Sequence, residues 1–255
     1  MIFKDKTMKK LLSLSRQAIK TYNMIDDGDV LAVGVSGGKD SLAMLTILNS
    51  LKSFYPKKFD IKAISIDLGF EDASFLPISE FCTNLGIEYT IEKTQIKEIV
   101  FDRLNEKSPC SLCSKMRRAA LCESAKKLNC NKLALGHNKD DAIETFVMNT
   151  LYNGKAMCFE PVTHYEDMGI SIIRPLIFTD EYIIKKFAEE NRLPIMKKIC
   201  PADGNTKREE TKNMLISINM KNRNYSKNIF TAIKNLPEFK KYEVETGNEN
   251  DGRSH

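Results

Sequence analysis

The sequence predicts an α/β protein, a doubly wound, mostly parallel sheet with a small helical extension. Three observations carry that expectation. Short runs rich in Val, Ile and Leu alternate with longer stretches whose apolar residues recur at helical spacing. The first run closes on a glycine-rich turn that opens directly into a helical stretch. Beyond Pro194 the alternation stops and only helical patterns remain. Strands separated by helices lie parallel, with the helices covering both faces of the sheet.

The elements follow in chain order. Over residues 7–22, Leu11, Leu12, Leu14, Ala18, Ile19 and Tyr22 recur among Lys, Arg and Gln, the pattern of an amphipathic helix. Asp26, Asp27, Gly28 and Asp29 form a turn signal, residues 30–35 read as a buried strand, and residues 41–51 as a helix. The rhythm repeats as strand 61–66, helix 75–85, strand 87–92 and helix 96–104. After Pro109 a cysteine-bearing helix runs to Leu128, followed by a strand at 132–135 and a helix at 141–151. Residues around Ile172 supply another strand and 179–191 another helix, while 206–218 and 227–234 form the helical extension. The expected organisation is an N-terminal helix (1–25), an α/β domain (26–195), a helical extension (196–237) and a polar, frayed tail (238–255).

Composition excludes some classes and leaves others open. The chain has 255 residues, enough for one embellished α/β domain with a sizeable core. Its longest apolar runs are too short to span a bilayer, and Met1 to Asp5 opens no signal-peptide core, so no membrane role and a cytoplasmic location are expected. A net charge of +5 and a pI near 8.7 are compatible with an anionic partner without demanding one. Seven cysteines, an odd number in a chain expected to be cytoplasmic, read as reduced thiols, with metal binding or catalysis as their candidate use.

The chemistry concentrates in three strings. Gly34-Val35-Ser36-Gly37-Gly38-Lys39-Asp40-Ser41 joins a strand to a helix, and so gathers backbone N–H groups and a helix dipole at one point, where phosphate is attracted. Gly37 and Gly38 permit positive φ and keep side chains off the anion; Ser36, Ser41 and Lys39 add donors and charge. A Walker A loop needs four residues between its glycines and then Lys followed by Ser or Thr; Gly34 and Gly38 enclose three, and Asp40 follows Lys39. Cys110-Ser111-Leu112-Cys113, followed by Arg117 and Arg118, suits either a metal centre or a redox pair. With Cys200 these make three thiols, enough to hold a 4Fe–4S cluster with one iron open. Cys82, Cys122, Cys130 and Cys158 lie on apolar faces and read as small core residues. Gly136-His137-Asn138-Lys139-Asp140-Asp141 closes a strand at the same sheet edge; its carboxylates suit either Mg²⁺ or the first turn of a helix.

The Ser-Gly-Gly-Lys-Asp-Ser string resembles the signature of the PP-loop ATP pyrophosphatases, which share the adenine nucleotide α-hydrolase fold. That resemblance implies ATP cleaved between its α- and β-phosphates, with Gly34 to Ser41, Gly136 and Asp141 around the nucleotide and Ile66 against its adenine. Together with Cys-Ser-Leu-Cys-Ser-Lys-Met-Arg-Arg, Ile173-Arg174-Pro175-Leu176 and Cys200, the chain over residues 7–236 is similar to the TtcA family of tRNA 2-thiocytidine synthases. The resemblance implies a 4Fe–4S cluster on Cys110, Cys113 and Cys200, with Asp40, Arg117 and Asp141 in catalysis. It further implies Mg²⁺, a tRNA substrate, a cysteine desulfurase or sulfide as sulfur donor, and a homodimer. Where family members often carry Cys-x-x-Cys-Gly, this chain has Cys200-Pro201-Ala202-Asp203-Gly204. The same ATP chemistry on another tRNA base or a small molecule, and a non-catalytic nucleotide or iron–sulfur sensor, are the competing readings.

Overall fold

A computed structural model of the chain describes residues 6–71, 74–103, 109–197, 200, 206–222 and 224–243. Helix α1 (Lys6–Thr21) lays its apolar stripe on the helices that cover one face of the sheet, through Met8, Leu11, Ala18 and Ile19. Strand β1 (Asp29–Gly34) is flanked by strands on both sides, and Leu31, Ala32 and Val33 are wholly buried, which is why its sequence is a near-continuous apolar run. Helix α2 (Lys39–Leu51) is apolar around most of its circumference because it lies between the sheet and α1.

Strand β2 (Phe59–Asp67), α3 (Leu76–Leu85) and β3 (Glu88–Lys93) follow, α3 ending on Gly86 in the left-handed region at φ 67°. The helix expected over 96–104 is a π-helical turn, Glu98–Arg103, and Leu104 lies outside the described residues. Then come α4 (Pro109–Lys127), β4 (Lys132–Ala134) and α5 (Lys139–Asn153). Strands β5 (Val162–Tyr165) and β6 (Ile170–Ile173) form an antiparallel hairpin, of which the sequence predicts only β6. Helix α6 (Glu181–Glu190) completes the α/β part; α7 (Lys207–Lys221), α8 (Asn224–Lys234) and α9 (Pro237–Lys240) form the extension. Phe239 is wholly buried against Tyr22, so the chain from residue 238 to Tyr242 is packed, where the sequence predicts a frayed tail. Residues 244–255 lie outside the described residues.

The sheet order is β3-β2-β1-β4-β6-β5, parallel except for the β5–β6 pair. One core layer joins α1, α2, α5, α6 and α8 to the sheet; the other is built by Cys122 and Ala125 of α4 against Ala32, Ile64, Leu133 and Ile172. The chain runs outward from β1 to β2 and β3, then returns to place β4 on the other flank of β1. That reversal opens a crevice beyond the carboxyl ends of β1 and β4, the place where open α/β sheets take ligands. Among the described residues no helix is long and apolar enough to cross a membrane.

Candidate active site

The first glycine loop stands at that crevice. Val35 N donates to Ile64 O at 2.8 Å and Ser65 Oγ donates to Val35 O, so the loop leaves the sheet from a fixed point. Gly37 adopts φ +77°, a conformation only glycine takes without strain. Gly38 is the N-cap of α2 and supplies no side-chain cap, which leaves the first-turn N–H groups facing the crevice. Ser41 Oγ accepts from Ser36 N at 3.1 Å and donates to Gly38 O at 2.9 Å, holding the loop in a tight arc. Five of the residues expected to bind nucleotide, Ser36, Gly37, Gly38, Lys39 and Ser41, therefore gather on one arc at the carboxyl end of β1, with Gly34 and Val35 as its buried stem.

The second loop closes on the first. A Cβ on Gly136 would stand 3.1 Å from Ser41 N and 3.2 Å from the Asp40 carbonyl carbon, so any larger residue would have to push the first loop back by a few tenths of an ångström. Asn138 Nδ2 donates to Asp40 Oδ1 at 2.9 Å. Asn138 and Asp141 form a reciprocal capping box at the start of α5: Asp141 N donates to Asn138 Oδ1 and Asn138 N to Asp141 Oδ2. Burial raises the Asp141 carboxyl above its ordinary range against the pull of that backbone hydrogen bond. Asp140 accepts from Glu181 N at 2.6 Å, which ties the start of α6 to the same edge.

A chain of alternating charges runs from the loop into the extension. Lys39 Nζ lies 2.9 Å from Asp40 Oδ2 and 2.8 Å from Glu181 Oε1; Lys212 of α7 lies 2.8 Å from Glu181 Oε2 and 4.0 Å from Glu144 Oε1. Arg208 adds a 3.6 Å contact to Glu144. Burial pushes the Glu144 carboxyl up to about 7, helped by the neighbouring Asp141 charge and opposed by Arg208 and Lys212. His137 is pushed down to about 3, first by burial and then by Arg174, Arg208, Arg118 and Arg117, so it stays a neutral imidazole. Arg174 is 4% exposed, donates to Glu160 O and Thr163 Oγ1, and sits 5.0 Å from the Phe159 ring centroid.

The cysteines divide as the sequence indicated. Cys82, Cys122, Cys130 and Cys158 are buried, whereas Cys110 is exposed and Cys113 and Cys200 are half-buried. Cys110 and Cys113 occupy the first turns of α4 at i, i+3 and share a face. Burial raises the Cys113 thiol, Arg117 one turn on lowers it, and the thiols of Cys200 and Cys110 raise it, so the three sulfurs share one electrostatic neighbourhood. Yet among the described residues no three His, Cys, Asp or Glu side chains stand close enough to hold a single metal ion. Three thiolates, each able to bind a different iron, are the donor set that a four-iron cluster with one open iron takes.

A family model described as a PP-loop domain matches residues 9–217. The tRNA-cytidine(32) 2-sulfurtransferase of Aliivibrio fischeri is 39% identical over 237 residues, which cover 91% of this chain and 76% of that protein. The Colwellia psychrerythraea enzyme of the same name is 41% identical, covering 91% of this chain and 74% of that one. The chain belongs to the PP-loop family, among the tRNA-cytidine 2-sulfurtransferases. A solved structure, the U34-tRNA thiolase NcsA from Methanococcus maripaludis with its 4Fe–4S cluster, superposes with a TM-score of 0.74 at 25% identity, covering 89% of this chain and 78% of that one.

Of the residues the sequence singles out, the structure brings the first loop, Gly136 and Asn138 together at one sheet edge, and Ile66 stands half-buried at the carboxyl end of β2. Arg117 is exposed on α4, and among the described residues no hydrogen bond or ion pair joins it to the first loop. Three participants escape the sequence reading. Glu181 lies far along the chain with no local signal; Glu144 stands in the Gly136 string but reads as an ordinary helix residue. Met196 reaches the loop only through the fold: its N–H donates to Gly37 O at 2.9 Å.

Proposed function

We propose that this chain replaces the C2 oxygen of a tRNA cytidine with sulfur, using ATP to make that oxygen a leaving group. The observation that carries the reading is that Met196, four residues before Cys200, donates its N–H to Gly37 O and so brings that stretch of chain to the glycine loop.

In this reading the ATP phosphates lie on the N–H groups of residues 36–41, with the α2 dipole and the Ser36 and Ser41 hydroxyls completing the cradle. Lys39 exchanges one of its two carboxylate partners for phosphate and stabilises the charge that develops on departing pyrophosphate. Asp40 is aimed by Asn138 and stands near Asp141; with phosphate oxygens and water they are the carboxylates available to Mg²⁺. The base oxygen attacks the α-phosphorus and pyrophosphate leaves. Sulfur at the sulfide level then adds to C2, and the electron pair of the C–O bond leaves with AMP. Cys110, Cys113 and Cys200 would hold a 4Fe–4S cluster, which when bound would offer an iron free of protein ligands for sulfur chemistry. Arg117 and the exposed lysines of α7 and α8 hold RNA phosphates, His137 stays neutral beside the crevice, and the Ile66 side chain lies against adenine. The reading includes a cysteine desulfurase or sulfide as donor, a homodimer and a cytoplasmic location, all three supported by the family resemblance alone.

The test is anaerobic reconstitution with unmodified tRNA, ATP, Mg²⁺ and sulfide, followed by nucleoside mass spectrometry. A cytidine heavier by one oxygen-to-sulfur exchange supports the reading. Thiolation of another base moves the substrate while keeping the chemistry; ATP cleavage stimulated only by small acids or amides overturns the RNA assignment.

A further inference from the structure

We propose that Met196 is a positioning residue that couples occupancy of the glycine loop to the placement of Cys200. The inference rests on the reading above and deepens it, because it assigns a physical link between the two halves of the site.

The link has three parts. The chain leaving α6 is anchored in the core at Leu193, which is 9% exposed and whose N–H donates to Ala188 O at 3.0 Å. It is anchored again on the loop, where Met196 N donates to Gly37 O at 2.9 Å. The Met196 side chain then fills the space over Gly37: a Cβ there would stand 2.5 Å from its Sδ, 2.8 Å from its Cγ and 2.9 Å from its Cβ. Glycine is thus required at 37 twice, for φ +77° and for this close approach. Cys200 follows Met196 closely enough that its Cα lies within roughly 14 Å at full extension.

The peptide group carries the signal, and the Met196 side chain packed over Gly37 holds the two backbones close enough for it to do so. The unit joining Gly37 to Gly38 is planar and trans, so its C=O and N–H point in opposite directions. Its C=O accepts from Met196, and its N–H is therefore turned to the concave side, where it lies 3.4 Å from Ser36 Oγ. A phosphate accepting from Gly38 N–H polarises the Gly37 carbonyl and strengthens the bond from Met196. By reciprocity, fixing the Cys200 segment favours the phosphate-ready orientation of Gly38 N–H.

The test uses the full-length protein without cluster, α,β-methylene ATP as the probe, and N-ethylmaleimide labelling of Cys200 read by peptide mass spectrometry. Bound nucleotide is expected to slow labelling of Cys200 by about fivefold or more, the lower end of ordinary coupling between sites. In Met196→Ala the slowing should fall below about twofold at saturating probe, while Met196→Leu, of similar volume, keeps it. Equal protection in wild type and Met196→Ala overturns the proposal, as does a wild-type Cys200 indifferent to bound nucleotide. Failure of the probe to bind at all would sink the ATP assignment and this coupling together, whereas binding without protection sinks the coupling alone. Should Met196→Ala not fold, loss of protection in a folded Met196→Leu would overturn it, because the filled space over Gly37 would then not be what transmits.

Discussion

Asn138 Nδ2 donates to Asp40 Oδ1 at 2.9 Å while Asn138 Oδ1 accepts from Asp141 N, so one buried amide caps α5 and aims a carboxylate of the phosphate loop. Asn138→Ala should therefore do two things. Loss of the N-cap should lower stability by about 1–2 kcal/mol in urea unfolding. Freed from its donor, Asp40 should no longer hold Lys39 in register, and nucleotide affinity should fall by about tenfold, the value of one good hydrogen bond. An unchanged affinity in a variant of reduced stability would show that the amide serves the helix alone.

The buried Glu144 makes stability depend on pH. Its folded pKa of about 7 lies above the ordinary value of 4.5, so the folded state binds more protons than the unfolded one between those values. Stability falls as pH rises through that window and is level above it. Glu144→Gln removes the titration. The variant should therefore gain on wild type as pH rises from about 5 to about 8, by on the order of 1–3 kcal/mol. A difference between the two proteins that stays constant with pH would contradict the buried, proton-binding carboxyl.

Cluster retention should follow the division of the cysteines. Anaerobically reconstituted Cys110→Ala, Cys113→Ala and Cys200→Ala should each lose most of their iron and acid-labile sulfide. Cys130→Ala, a buried thiol whose Sγ lies 3.8 Å from Leu128 O, should keep both while losing some stability. Full iron content in Cys200→Ala would remove the third ligand from the scheme.

The exposed lysines of α7 and α8 should act on RNA without sequence preference. Replacing Lys221 and Lys227 by Ala should weaken tRNA binding and reduce the slope of log affinity against log salt by about 0.7–0.9 for each phosphate no longer neutralised. A slope equal to wild type would place the RNA elsewhere on the surface.

Much of the fold was legible because the central strands are largely buried; residues 30–35 read as an apolar run and 61–66 as one broken by Lys62 and Ser65, and they correspond to β1 and β2. The β5–β6 hairpin was half-legible because β5 is four residues at the sheet edge, with Val162 buried and His164 exposed, too short for a period to register. The glycine loop was legible from local chemistry, since a strand, two glycines and a helix start lie within a few residues. Glu181 and Met196 were not, because their roles come from α6 packing on α2, the helix that the glycine loop opens, far from it in the chain. Phe239 was hidden among polar neighbours; a lone aromatic in a charged stretch marks a buried anchor only once Tyr22 is seen beside it.

The most direct measurement follows the oxygen atom. Unmodified tRNA carrying heavy oxygen at C2 of its cytidines would be thiolated in a single turnover, and the nucleotide products analysed by mass spectrometry. The scheme predicts one heavy oxygen in the phosphate of AMP for each sulfur gained by the RNA, with unlabelled pyrophosphate. Heavy oxygen released to water, or ADP and phosphate in place of AMP and pyrophosphate, would contradict attack of the base oxygen on the α-phosphorus.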